Sequence, residues 1–112
     1  MPFFKVCLLN DLSETKLKMF EIDGVEILFV KSHFSLSGVY AFANNCNHAD
    51  KPLEKGRWNI ETAEITCPFH KAVFSIKEAG MVKAPPACVS LPVYQTEIRD
   101  IELQKYVFVF LE

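Results

Sequence analysis

The stretch Asn44–His70, NNCNHADKPLEKGRWNIETAEITCPFH, carries two short motifs, Cys46-Asn47-His48 and Cys67-Pro68-Phe69-His70. Each sets one thiolate and one imidazole at metal-ligand spacing, tight enough for a single loop to deliver both groups to one small site. Together they form a four-ligand set, two Cys and two His, in a chain that has only four Cys and three His. Two such pairs use most of that supply, which speaks against coincidence. The mixed set suits a [2Fe–2S] cluster in which two His replace two Cys on one iron. It also suits a structural zinc ion, although the commoner zinc spacings, Cys-x2–4-Cys with His-x3–5-His, match two Cys/His pairs poorly.

Charge gives a reason for the mixture. Two ferric ions, two sulfides and two thiolates sum to zero when both imidazoles are neutral, whereas four thiolates would leave the oxidised cluster anionic. An electron enters a neutral cluster at lower cost, so His ligation raises the reduction potential. Each imidazole keeps a second ring nitrogen that can titrate. Oxidised iron favours its deprotonation, so the potential should fall as pH rises.

Around this stretch the pattern is one of many short strands. Phe3 to Leu8 is apolar and β-prone, and Asn10 to Thr15 is a polar turn region with room for one helical turn. Lys18–Ile22 and Val25–Lys31 are β-prone runs joined at Asp23-Gly24, the strongest hairpin signal in the chain. Gly38–Ala43 and Glu64–Thr66 read as strands. Ala72–Ile76 and Met81–Lys83 read as a hairpin turning at Gly80. Val89–Ile98 reads as one long strand, Arg99-Asp100 as a turn, and Ile101–Leu103 with Tyr106–Leu111 as the end of the sheet. No window sustains a capped 3.6-residue apolar period. The expected fold class is all-β, an antiparallel sandwich or barrel. Asn44 to Thr66 is the exception: Asn, Asp, Lys and Pro interrupt the strand pattern, with Pro52 and Gly56 as punctuation. Ligands on loops, held by a rigid sheet, are the usual way a β scaffold carries a metal.

The 112 residues are expected to form one domain, 1–112, with a cluster-binding region at about 44–86. Half of the residues are apolar and the formal net charge is −2. Without a basic footprint, nucleic acid is not an expected partner. No run approaches the roughly 18 apolar residues of a membrane span. The start, Met1-Pro2-Phe3-Phe4-Lys5, lacks the apolar core of a secretory signal. The expectation is a soluble cytoplasmic protein, where paired Cys and His mean metal more often than disulfides. Cys7 and Cys88, in apolar surroundings, read as buried small hydrophobes. His33, among polar neighbours, reads as a surface or loop residue.

The two motifs, taken with their surroundings, resemble the Rieske iron–sulfur family, specifically the small Rieske-type ferredoxins of bacterial oxygenase systems. Cys46 to Gly56 is similar to the family's first cluster loop, including Pro52-Leu53 and Gly56, and Cys67 to His70 with Phe74 is similar to the second. Ala84-Pro85-Pro86 resembles the Pro loop that covers the cluster, Leu91-Pro92-Val93-Tyr94 the strand after it, and Asp11-Leu12 also fits. The resemblance spans essentially the whole chain. It implies a small antiparallel β-sandwich or barrel with a cluster-binding subdomain formed by two loops. It further implies one [2Fe–2S] cluster, with Cys46 and Cys67 on one iron and His48 and His70 on the other.

This chain departs from the family pattern at several points. Lys71 follows the second His where the family usually has Gly, and the spacer between the motifs is slightly long. Lys51 and Phe69 stand where respiratory-type members have two bridging cysteines. Ala72 and Phe74 stand where those proteins have a Ser and a Tyr that donate hydrogen bonds to the cluster sulfurs. Fewer donors stabilise the reduced state less, which implies a low-potential centre.

The resemblance implies a one-electron carrier between a flavin-containing reductase and a terminal, aromatic-ring-hydroxylating oxygenase, working as a monomer. It would not itself be an enzyme: the sequence holds no Ser-His-Asp set, no phosphate-binding Gly loop and no spare metal position. Lys51, Asp50, Lys71, Pro85 and Pro86 are docking candidates by proximity to the ligands. Three alternatives stay open at this level: donation to another acceptor such as a nitrite reductase or non-aromatic monooxygenase, a redox-responsive interaction module, and a zinc-stabilised one.

Overall fold

The computed structural model describes residues 2–45, 52–68, 71–84 and 90–111. Its strands are β1 Phe3–Leu8, β2 Lys18–Ile22, β3 Val25–Lys31, β4 Val39–Ala43, β5 Arg57–Asn59, β6 Glu64–Thr66, β7 Val73–Ser75, β8 Met81–Ala84, β9 Val93–Tyr94, β10 Thr96–Ile101 and β11 Gln104–Phe110. Leu9–Asp11 and Ile76–Glu78 are single 3₁₀ turns. The strands form three antiparallel sheets, ordered β1-β11-β10, β2-β3-β4-β9 and β5-β6-β7-β8. This is the all-β architecture expected from the strand pattern, and among the described residues no helix is long and apolar enough to cross a membrane.

Strand β3 shows how one sheet supports two cores. Ile27, Leu28, Phe29 and Val30 are all fully buried. Side chains alternate along a strand, so Leu28 and Val30 pack with Phe42, Leu53, Ile65, Cys67, Phe74 and Ile76. Ile27 and Phe29 pack on the other face with Val39, Ala41, Val107 and Val109. The first core ties the β5–β8 sheet to the central sheet, and the second ties β11 to it. The continuous apolar run is therefore that of a strand covered on both faces. Trp58 of β5 stacks on Phe42 of β4, with ring centroids 5.9 Å apart and planes 20° apart, adding a contact between the two sheets.

Most of the expected strands form within a residue or two of their expected ends. Asp23 and Gly24 turn with φ of 52° and 81°, the left-handed pair a two-residue hairpin requires. Three expectations need correction. Val89–Ile98 is not one strand: β9 and β10 are separate strands in different sheets, divided at Gln95. Arg99-Asp100 does not turn but continues β10, pairing with Tyr106 and Lys105. The turn lies at Glu102-Leu103, with φ of 50° and 70°, a hairpin turn made without its usual Asn or Gly. Finally, the segment expected to be strandless contains β5, which pairs Arg57, Trp58 and Asn59 with Thr66, Ile65 and Glu64.

Candidate metal centre

The β5–β6–β7 meander builds the seat of the second motif. Strand β6 runs directly into Cys67, and β7 leaves from Ala72. The Cys67 N–H donates to the Ala72 carbonyl at 2.8 Å, and the Lys71 N–H donates to the Cys67 carbonyl at 3.0 Å. The segment 67–72 is thus a closed turn with Cys67 at its base. Cys67 is fully buried in the first core with Leu53, Ala72 and Phe74. Gly56 allows β5 to approach: a Cβ there would stand 2.5 Å from the Thr66 carbonyl oxygen and 3.0 Å from that of Leu53.

Cys67 is the one sequence-predicted ligand among the described residues. Cys46, His48 and His70 lie outside them, as do the docking candidates Asp50, Lys51, Pro85 and Pro86, and Phe69 and Cys88. The structure does describe the stems of the first motif's loop, and they meet the second motif. Asn44, buried, donates from its side-chain amide to Glu26 Oε1 at 3.1 Å. Its Oδ1 accepts from the backbone N–H groups of both Leu53 and Glu54 at 2.9 Å. One side chain therefore joins the residue two before Cys46 to the far end of the same loop. Leu53, so held, packs in the same core as Cys67. The two motif loops are anchored at one place.

Asn44 was missed as a functional residue in the sequence, where it read only as a strand breaker. The available signal was an amide two residues before a ligand motif, able to donate and accept at once. Asn44→Ala leaves two backbone donors without their acceptor, one of them on buried Leu53, at about 1–3 kcal/mol for a buried unsatisfied group. The expected outcome is partial loss of bound iron and an altered EPR line shape in the fraction that keeps it. Asn44→Asp, which retains the acceptor, should recover part of the iron content; equal metal loading in all three proteins would count against the clamp.

Lys71 sits at φ 59°. That is left-handed backbone, which explains why Gly is the expected residue after the second His. A side chain there costs roughly 1–2 kcal/mol. Lys71→Gly should therefore raise thermal stability while keeping the visible spectrum, measured by melting and absorption; a lower melting temperature would contradict the backbone assignment.

The other described Cys and His, read from the sequence as outside the site, lie away from it. Cys7 is half-buried beside the second core. Its thiol is pushed up to about 11, chiefly by burial and further by Asp11, with Lys18 opposing. It stays protonated at neutral pH and is a poor ligand. His33 is exposed, as expected, and its ring lies tilted by 33° against that of Phe34, with centroids 4.2 Å apart.

The donor chemistry and the seat agree: a buried thiol on a closed turn, a second loop pinned beside it, and two thiolates with two imidazoles in the motifs. Residues 2–95 match the model of the Rieske [2Fe-2S] domain. The chain belongs to the Rieske [2Fe–2S] domain family. A single Rieske-type cluster is therefore the group it carries, and the zinc alternative falls. Among relatives of this Rieske protein, the ferredoxin component of biphenyl 2,3-dioxygenase from Rhodococcus jostii (strain RHA1) is 31% identical over 88% of this chain and 86% of its own. The ferredoxin of carbazole 1,9a-dioxygenase from Nocardioides aromaticivorans IC177 superposes with a TM-score of 0.80 at 28% identity, covering 96% and 97% of the two chains. A ferredoxin in a complex of reduced oxygenase and oxidised ferredoxin, also of carbazole 1,9a-dioxygenase, superposes at 0.76 with 26% identity, covering 98% and 97%.

Proposed function

We propose that this Rieske protein is a one-electron carrier of a multicomponent oxygenase system. It takes electrons from a flavin-containing reductase and passes them to a terminal, aromatic-ring-hydroxylating oxygenase. The observation that carries this is its likeness to a dioxygenase ferredoxin component over most of both chains. Cys46 and Cys67 hold one iron and His48 and His70 the other, the cysteines as thiolates. The cluster, when bound, supplies reversible one-electron chemistry. With both irons filled by protein ligands and sulfide, it exchanges electrons and offers no open position to a substrate.

The chain's own residues have three tasks. Asn44 and the 67–72 turn orient the two loops. The apolar core around Cys67 keeps water from the buried side of the site. His48 and His70 serve as the electron's exit to the partner, across a small, transient interface. Residues 1–112 act as one domain with the cluster region at about 44–86, working as a monomer in the cytoplasm.

Ala72 and Phe74 are both fully buried in the core that contains Cys67, and neither has a hydroxyl. The midpoint potential is expected near the bottom of the roughly −150 to +300 mV range of such centres. Protein-film voltammetry at neutral pH measures it, and a value well above zero would refute the reading of these two positions.

The function is tested in two steps. Anaerobically purified protein should contain two irons and two sulfides and give, after dithionite, a rhombic EPR signal of average g below the free-electron value. Reduced by NADH through a flavin reductase, it should then be reoxidised by a terminal oxygenase supplied with an aromatic substrate and dioxygen. Colourless protein holding zinc would overturn the reading, as would a cluster that no reductase of this class reduces.

A further inference from the structure

Beside Cys67 lies a groove of about 510 Å3 lined by Lys55, Arg57, Thr66, Cys67, Pro68 and Lys71. Three of these side chains are cationic and, among the described residues, none lining it is a carboxylate. All three cations are exposed, and no described carboxylate forms an ion pair with any of them; the described pairs join Lys83 to Glu78, Arg99 to Glu97 and Lys105 to Asp100. The chain as a whole carries a formal charge of −2. The face next to a cluster ligand is thus opposite in sign to the molecule.

Two further facts separate this face from an ordinary solvated one. Lys71 is held in left-handed backbone, where glycine would be relaxed, so a cation is kept there against conformational preference. Strain of this kind gathers where a side chain serves a function. Lys55 and Arg57 are fixed from the other side: Arg57 pairs with Thr66 across β5–β6, and Gly56 between them is packed against the Thr66 carbonyl. The backbone positions that carry the three charges therefore hold a set relation to Cys67.

We infer that Lys55, Arg57 and Lys71 form the docking face for a carboxylate-rich surface of a redox partner protein, steering it onto the cluster end. The inference rests on the electron-carrier reading and adds the partner's chemistry. Each exposed charge alone is worth little as a pair. A one-signed group acts instead through its field, raising the encounter rate in a salt-dependent way.

The test uses the cluster-loaded full chain and two inorganic oxidants of opposite charge, ferricyanide and tris(phenanthroline)cobalt(III). One electron leaves the reduced cluster; ferricyanide becomes ferrocyanide, or cobalt(III) becomes cobalt(II), with no bond made or broken between protein and oxidant. In stopped flow, the ferricyanide rate should fall several-fold as salt rises from low to physiological ionic strength, and the cobalt rate should not. In Lys55→Gln/Arg57→Gln/Lys71→Gly the salt dependence with ferricyanide should flatten or invert. Should the triple variant lose its cluster, the single variants Lys55→Gln and Arg57→Gln each carry the same expectation at reduced size. Calorimetric titration with poly-L-glutamate at low salt, which needs no electron transfer, should give binding to the parent protein and several-fold weaker binding to the variants.

A ferricyanide rate that rises with salt would show that the net charge of the molecule governs approach, and would overturn the docking face alone. Unchanged poly-L-glutamate binding in the variants would do the same. Protein that takes up no electron reversibly before mixing would overturn both the carrier reading and the face that depends on it.

Discussion

Gly80→Ala is expected to lower the melting temperature by on the order of 10–20 °C. Gly80 lies at φ 80°, and a Cβ there would stand 1.9 Å from the Leu91 carbonyl oxygen and 2.9 Å from its carbonyl carbon. Backbone cannot yield as the tip of a flexible side chain can. The same two residues are hydrogen-bonded, Leu91 N–H donating to the Gly80 carbonyl at 2.9 Å, while the Gly80 N–H donates to Ser75 at 2.9 Å. Leu91 is fully buried in the first core, so moving it away opens that core. Left-handed backbone for Ala costs roughly 1–2 kcal/mol and overpacking about 1–3 kcal/mol more, a large share of the 5–15 kcal/mol that holds a small domain together. Thermal unfolding followed by far-ultraviolet circular dichroism reads the effect. Ala79, the preceding residue, also has positive φ, at 60°. Ala79→Gly in the same assay controls for a general loosening of this turn, since it should not destabilise. A Gly80→Ala protein that melts with the parent would show that the contact with Leu91 is not as close as described.

Gly80 also shows where reading the sequence stops. As the turn between Ala72–Ile76 and Met81–Lys83 it was plain, because glycine between two β-prone runs has a local reason. Its contact with Leu91 was not, since no local pattern tells which backbone a glycine admits. The same division runs through the chain. Asp23-Gly24 announced its hairpin through turn chemistry, whereas Glu102-Leu103 makes a comparable turn with residues that ordinarily avoid it, so Arg99-Asp100 took its place in the reading. Strand β5 is short and half polar, exposed at Arg57 and Asn59, and only Trp58 reaches the core; its pairing with β6 outweighs weak local preference. The two Cys/His motifs stood out because metal chemistry demands particular side chains at tight spacing. Asn44, the left-handed backbone at Lys71 and the meeting of Lys55 and Arg57 with it in one groove did not, because they come from hydrogen bonds, backbone angles and neighbours distant in sequence.

Cys67→Ser should yield protein without its visible chromophore or reduced-state EPR signal, whereas Cys7→Ser should keep both. The two cysteines are chemically alike and differ only in where the fold puts them. Cys67 stands on the closed 67–72 turn, in the core reached by the pinned first loop. In the proposed ligation its thiolate is one of the two that balance the charge of the iron pair, and a serine hydroxyl at this buried position gives up its proton far less readily than a thiol. Under that proposal, its loss would leave one iron with a single protein donor, so the cluster should not be retained at ordinary occupancy. Cys7 belongs to the other core, across the central sheet, with a thiol that burial keeps protonated. Iron and sulfide assays on the two variants, purified side by side without oxygen, make the comparison quantitative. A Cys67→Ser protein with full iron, or a Cys7→Ser protein without it, would reassign the ligands. The contrast also separates ligation from folding: Cys7→Ser removes a packed sulfur too, so general fragility would reduce iron in both, whereas ligation confines the loss to Cys67.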